Sequence, residues 1–116
     1  MLITEISHEE WIDHFAREID AHHDQAASIL NTGLNEIYKM ILSVINTPNN
    51  DLSKTFLTIH TIKEMAGNLC MDKLYVYSSS LCKKLRKNYN DNFNDDLGEL
   101  IAIFYEYKKF LINQQD

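Results

Sequence analysis

The sequence is poor in the residues that make turns. It contains three glycines and one proline among 116 residues, and all-β folds need many more of these residues to reverse the chain. Hydrophobic residues make up 45% of the sequence, and a chain of this length buries roughly two thirds of its unfolded surface without disulfides or a metal. We therefore expect a single all-α domain that spans residues 1–116.

Cysteine, basic charge and long apolar runs are scarce as well. Cys70 and Cys82 lack the spacing of a metal site and require no oxidising compartment. The net charge of −6 and the isoelectric point near 5.2 disfavour nucleic acids and anionic membranes as partners. No apolar run approaches the length of a membrane span, and charged residues follow Met1 too closely for a signal peptide. These absences predict a cytoplasmic protein.

Sequence features of nucleotide and metal sites are missing. No glycine-rich phosphate loop or other nucleotide-binding signature occurs, so nothing in the chain would draw phosphate from ATP. No acidic cluster indicates a Mg²⁺ site, and His22 and His23 are adjacent, so they point in different directions on a regular helix. We predict no metal site, no cofactor and no autonomous enzymatic activity.

Hydrophobic periodicity predicts five helices, at about residues 8–20, 24–45, 52–69, 72–88 and 95–112. The first helix is short and is expected to pack as a lid across one end of the protein. The other four are joined by short loops, which predicts an antiparallel four-helix bundle. The residues expected to face the core are Trp11, Ile12, Phe15 and Ile19; Leu30, Leu34, Ile37, Ile41 and Val44; Leu52, Phe56, Ile59, Ile62, Ala66 and Leu69; Leu74, Tyr77, Leu81 and Leu85; and Leu97, Leu100, Ile101, Phe104 and Leu111.

Capping residues and turn formers mark the predicted helix ends. Ser7 and Glu10 have the spacing of a capping box at the start of the first helix. Residues 46–50 contain Pro48 and three asparagines, which stop the second helix. Residues 88–92 break the pattern again. The residues expected to cap or open the last three helices are Asp51 or Ser53, Asp72, and Asp95 or Asp96.

Residues 58–69 place a histidine and a lysine three positions apart in the third predicted helix. Residues at i and i+3 are neighbours on one helix face, so the Lys63 ammonium can lie beside whatever the His60 imidazole carries. On a helical wheel His60 lies roughly 110° from the centre of the apolar stripe, and we expect it to be exposed. A neutral imidazole is a nucleophile that needs no base. Its attack on an aspartyl phosphate would form a phosphoramidate, assisted mainly by positioning and charge.

Further residues follow this pair at a characteristic spacing. Together with the pair they are His60, Lys63, Ala66, Gly67, Asn68, Leu69, Leu74, Ser78 and Leu81. This pattern resembles that of the histidine-containing phosphotransfer (HPt) domain family. The resemblance implies a four-helix phosphocarrier in which His60 accepts the phosphoryl group and Lys63 stabilises it. It also implies two partners, the receiver domains of a hybrid sensor kinase and of a response regulator, which supply the aspartate, the acidic pocket and its Mg²⁺. We expect the carrier to be a monomer.

Two residues depart from the family pattern. The family usually has glycine directly after the lysine, where this chain has Glu64, and a second glycine at the end of the helix, where it has Cys70. Glu64 is at i+4 from His60, so its carboxylate lies where a dianionic phosphoryl group would arrive. The carboxylate would slow transfer, select particular partners or mark a degenerate site, and the sequence does not choose among these three.

Leu57, Glu64 and Gly67 are the candidate partner-binding residues. Leu57 lies beside His60 on the wheel and would suit docking of an apolar receiver surface, although single exposed leucines are common. Gly67 costs up to about 1 kcal/mol against alanine inside a helix, which indicates close approach of another group. The basic residues at 83–87 complement the helix dipole and would also help to attract an acidic receiver.

The leading hypothesis from the sequence is a phosphorelay intermediate that takes phosphate from a receiver aspartate and passes it to a response regulator. The alternative is a degenerate HPt-like bundle that binds a receiver domain without carrying phosphate. A third hypothesis is a structural or self-associating helical bundle in which the pairing of His60 with Lys63 is incidental.

Overall fold

Five helices make up most of the described chain. The computed structural model describes residues 8–47, 51–87 and 92–114. The helices are α1 (His8–Glu18), α2 (His23–Ile45), α3 (Leu52–Asn68), α4 (Asp72–Arg86) and α5 (Phe93–Gln114). No strand occurs in these residues, so the all-α prediction is confirmed for them. None of these helices is long and apolar enough to cross a membrane.

The core receives side chains from all five helices. The seam predicted for α2 is buried at each of its positions: Leu30, Leu34, Ile37, Ile41 and Val44. The stripe of α3 is rotated at its start, because Thr55 is buried whereas Leu52 and Phe56 are only partly buried. In α5 the core also includes Ile103 and Tyr107, which the periodicity did not single out.

Helices α2 to α5 each pack on two or more others, with the largest contact between α3 and α4. Helix α2 contacts α1, α3 and α5, and α4 contacts α5. Two ion pairs fix the relative direction of α4 and α5. Lys73 near the start of α4 lies 3.3 Å from Glu106, and Lys84 near its end lies 3.3 Å from Asp96 at the start of α5. Helices α4 and α5 therefore run in opposite directions.

Helix α1 covers the end of α3 and lies against α5. The Trp11 Nε1–H donates to the Leu69 carbonyl oxygen at 2.8 Å, and the indole ring meets Tyr107 edge-on at 4.8 Å. The helix ends at Glu18, and Ile19 is 39% exposed. The prediction that Ile19 faces the core is therefore wrong, because the chain leaves the helix before this residue can reach the apolar edge.

The helix starts agree with the capping predictions only in part. Asp51 caps α3, accepting the Lys54 N–H at 3.1 Å, as predicted. The prediction for Asp72 is wrong, since the cap position of α4 is the fully buried Met71 and Asp72 is the first helical residue. Helix α5 begins at Phe93, so Asp95 and Asp96 lie in its first turn rather than ahead of it. The carboxylates of Asp72, Asp95 and Asp96 still stabilise the N-terminal ends of their helices electrostatically.

Several sequence predictions lie outside the described residues. They concern the capping serine at position 7, the stop formed by residues 48–50 and the break at residues 88–91. The observed start of α1 at His8 and the end of α2 at Ile45 are close to the predicted bounds.

The end of α3 has the backbone geometry of a Schellman motif. Cys70 has a φ of 58°, in the left-handed region that favours glycine. Its N–H donates to the Gly67 carbonyl at 3.2 Å, and the Met71 N–H donates to the Ala66 carbonyl at 2.8 Å. The position where the resembling family has glycine is thus one whose backbone conformation suits glycine, and here it carries a cysteine.

Candidate functional site

His60 lies in the middle of α3 and is half-buried, so the prediction that it is exposed is wrong. The ring of Phe56, one turn earlier, stacks on the imidazole with a centroid distance of 5.9 Å and an angle of 21°. Nδ1 is buried and meets no hydrogen-bond partner among the described residues, whereas Nε2 is not enclosed in this way. Packing thus encloses Nδ1 and leaves Nε2 as the ring nitrogen available to react.

The Lys63 side chain pairs with that of Glu64, the next residue in α3. Its side chain is 21% exposed, and its Nζ lies 3.7 Å from Glu64 Oε2, whose side chain is 59% exposed. At this separation the two groups form a loose ion pair rather than a hydrogen bond. The ammonium next to His60 is therefore partly neutralised before any phosphoryl group arrives.

Helix α4 brings a second cation to the same surface. The Arg86 guanidinium lies over the ring of Phe56, the residue that stacks on His60. Its Cζ is 5.5 Å from the Phe56 ring centroid. The sequence shows residues 83–87 as a basic run at a helix end and gives no direct sign that Arg86 contacts Phe56. The signal that could have found it is the close helix approach expected at Gly67, because it sets the register in which antiparallel α3 and α4 pack.

Cys82 packs between the two cations. Burial raises the pKa of its thiol, while Lys63 and Arg86 act in the opposite direction. Lys63, Cys82 and Arg86 line one groove between α3 and α4. Because burial dominates, the thiol stays protonated at neutral pH and serves as a small packing residue.

An open groove between α3 and α4 adjoins these residues. It is lined by Lys63, Tyr75, Val76, Ser79, Lys83 and Arg86. Tyr75 and Val76 are 40% and 55% exposed, so apolar surface lies next to the basic groups. A partner that reaches His60 from this side meets cations and an apolar strip together.

The three candidate partner-binding residues have different surroundings. Leu57 is 63% exposed, and Glu64 lies at the surface beside Lys63. Gly67 is exposed too, but a Cβ added there would lie 3.1 Å from Tyr75 Cδ1. The close approach that this glycine permits is made by a side chain of the same protein.

Gly33 in α2 is a packing residue that the sequence analysis missed. It is buried, and an added Cβ would lie 2.5 Å from Leu69 Cδ1. Together with the hydrogen bond from Trp11, this contact fixes the end of α3.

The arrangement can support nucleophilic chemistry at one nitrogen. Enclosure of Nδ1 leaves Nε2 of His60 to react, Lys63 is the helical neighbour of His60, and Arg86 of α4 lies over the Phe56 ring that stacks on the imidazole. Within the described ranges no group of three histidine, cysteine, aspartate or glutamate side chains could hold a metal ion. His23 instead pairs with Asp13 at 2.9 Å, which ties α2 to α1.

No protein-family model, no curated protein and no solved structure matches this chain. The functional conclusion therefore depends on the sequence pattern and on the geometry described above.

Proposed function

We propose that the protein is a phosphorelay intermediate, in which His60 accepts a phosphoryl group from a receiver-domain aspartate and passes it to a response regulator. The observation that carries the proposal is the asymmetry of the half-buried His60 ring, whose Nδ1 is enclosed and whose face is covered by Phe56, the ring on which Arg86 lies. Enclosure of Nδ1 leaves Nε2 as the reacting nitrogen, and Lys63, one helical turn away, is the nearest candidate to stabilise the transferred charge.

The proposed step is a displacement at phosphorus. The Nε2 lone pair forms the N–P bond while the acyl P–O bond breaks, and the receiver carboxylate leaves with the electrons of that bond. Nδ1 keeps its proton throughout, so the step needs no base in this chain. The residues of the site contribute by orienting the ring through Phe56 and by stabilising charge through Lys63 and Arg86.

We further propose how the helices are arranged and which partners the protein binds. Helices α2 to α5 would form an antiparallel four-helix bundle, with α1 as a lid. The partners would be the receiver domains of a hybrid sensor kinase and of a response regulator, and Mg²⁺ would belong to the receiver. The carrier would be a cytoplasmic monomer and a single domain without ATP-dependent activity. Support comes from the opposite directions of α4 and α5 and from the helical surface around His60.

Intact-mass measurement after exposure to a phosphoryl donor tests the proposal. The wild type is incubated with phosphoramidate or with a receiver domain phosphorylated beforehand. We expect a single acid-labile phosphoryl group in the wild type and none in His60→Gln, because the displacement needs the imidazole nitrogen.

His14→Gln is the matched control, because His14 is also half-buried on a helix but lies on α1, away from the site. This variant should be labelled like the wild type. Absence of labelling of correctly folded wild type by both donors would contradict the proposal, as would labelling that persists in His60→Gln.

A second candidate function is favoured by the ion pair of Lys63 with Glu64. In a degenerate HPt-like bundle this pair would occupy the phosphate-stabilising lysine, and the protein would bind a receiver without carrying phosphate. Glu64→Gly distinguishes the two candidates. With phosphoramidate as the donor, which has no docking surface, faster labelling than in the wild type indicates a working carrier, whereas labelling that the wild type lacks altogether indicates a site that has lost it.

A further inference from the structure

Glu64 lies at the rim of the site without a firm partner. It is one helical turn from His60, and its side chain is 59% exposed. Its distance of 3.7 Å from Lys63 Nζ is too long for a hydrogen bond, and the carboxylate accepts none from the other described residues. A carboxylate in this state can accept a hydrogen bond from a group outside the chain.

The charges around Glu64 have mostly the opposite sign. The groove beside it is lined by Lys63, Lys83 and Arg86, whereas Lys73 and Lys84 of α4 pair with Glu106 and Asp96 of α5. Asp72 lies at the turn between α3 and α4, so Glu64 is the acidic residue of this helix pair that borders His60. A partner attracted by this surface is acidic overall. The part of the partner that meets Glu64 cannot be acidic, because like charges repel.

A carboxylate at this position discriminates between partners. Like charges placed opposite each other across an interface destabilise it strongly, and opposite charges fix its register. We propose that Glu64 is a partner-specificity residue: the receiver domain that exchanges phosphate with His60 presents a lysine or arginine to Glu64 within an otherwise acidic contact surface. This inference rests on the proposed function and adds the charge pattern of the partner.

A charge-swap cycle tests the inference, with the receiver domain that transfers phosphate fastest to the wild type among those offered. Glu64→Lys should slow transfer about tenfold or more, because two cations then face each other. Changing the matching lysine or arginine of the receiver to glutamate should slow transfer to the wild type similarly. The two changes together should restore the rate to within about threefold of the unmodified pair.

Phosphoramidate labelling of His60 reports on the site without a partner surface. In Glu64→Lys its rate should not fall below that of the wild type, because a cation then replaces the carboxylate one helical turn from His60. Glu99→Lys reverses an exposed carboxylate on α5 and should leave both rates unchanged.

Transfer from the receiver to Glu64→Lys as fast as to the wild type would overturn the inference, and so would failure of every charge reversal on the receiver to rescue the slow variant. In both cases labelling by phosphoramidate would persist, and the proposed function would stand. Absence of labelling in the wild type by either donor would instead refute the proposed function and the inference together.

Discussion

Cys70 holds a backbone conformation that a side chain destabilises. Its φ of 58° is left-handed, which costs a residue with a Cβ roughly 1–2 kcal/mol. Replacement by glycine removes that cost but makes the unfolded chain more flexible. We expect Cys70→Gly to raise the free energy of unfolding by about 0.5–1 kcal/mol. Urea denaturation followed by circular dichroism measures the difference.

Cys70→Ala separates the backbone effect from the loss of the thiol. Alanine keeps the Cβ and therefore the strain, so this variant should be no more stable than the wild type. If alanine stabilises the protein as much as glycine does, the thiol rather than the backbone is the source of the effect. Burial raises the pKa of this thiol, so it remains neutral at pH 7 and its charge does not complicate the comparison.

At the scale of single residues, the sequence predicted that His60 and Lys63 lie on one helix but did not predict their environment. The spacing of His60 and Lys63 follows from one helix and is visible in the sequence. The half-burial of His60 depends on the stacking of Phe56 and on the packing of α4 against α3. A helical wheel of α3 alone contains no information about α4. For the same reason, the contact of Arg86 with Phe56 was not predictable from the sequence.

At the scale of helices, replacement of glycine by alanine should have opposite effects on stability at Gly33 and at Gly98. In Gly33→Ala the new Cβ would lie 2.5 Å from Leu69 Cδ1, while Leu69 is 8% exposed and its carbonyl is held by Trp11. Overpacking of this kind costs about 1–3 kcal/mol, and the better helix propensity of alanine recovers up to about 1 kcal/mol. We expect a net loss of about 1 kcal/mol, measured by urea denaturation.

Gly98→Ala is the control for helix propensity. Gly98 is exposed in α5, and no atom lies within 4 Å of an added Cβ. This variant should gain about 0.5–1 kcal/mol. If Gly33→Ala is stabilised to the same extent, Leu69 repacks freely and the end of α3 is not fixed by this contact.

Helix positions were predictable because each depends on local periodicity and local breaks. The seam of α2 repeats every three or four residues, and its stop coincides with a proline and asparagines, so its bounds follow from nearby sequence. The cap of α4 was not predictable in this way. Met71 takes that position because its side chain is fully buried in the core, and tertiary packing overrides the preference for a polar cap.

At the scale of the whole molecule, charge is distributed unevenly. The chain has a net charge of −6, but α3 and α4 carry six basic residues against two acidic ones. The remainder of the chain is therefore strongly acidic. Lys73 and Lys84 pair with acidic residues of α5, whereas Lys63, Lys83 and Arg86 line one groove. An acidic partner would be attracted to this groove and repelled by most of the remaining surface, which orients the encounter before contact.

This asymmetry predicts a salt dependence that differs between donors. Raising the ionic strength from about 0.01 M to about 0.15 M shortens the screening length from roughly 30 Å to roughly 8 Å. Transfer from a phosphorylated acidic receiver, measured below saturation, should slow about tenfold or more over this range, because steering depends on unscreened charge. Labelling by phosphoramidate, which is small, should change by less than about threefold.

Arg86→Gln should weaken the salt dependence of receiver transfer, whereas Lys109→Gln, exposed on α5, should not. Equal salt dependence for the two donors would mean that the basic side of the molecule does not steer its partner.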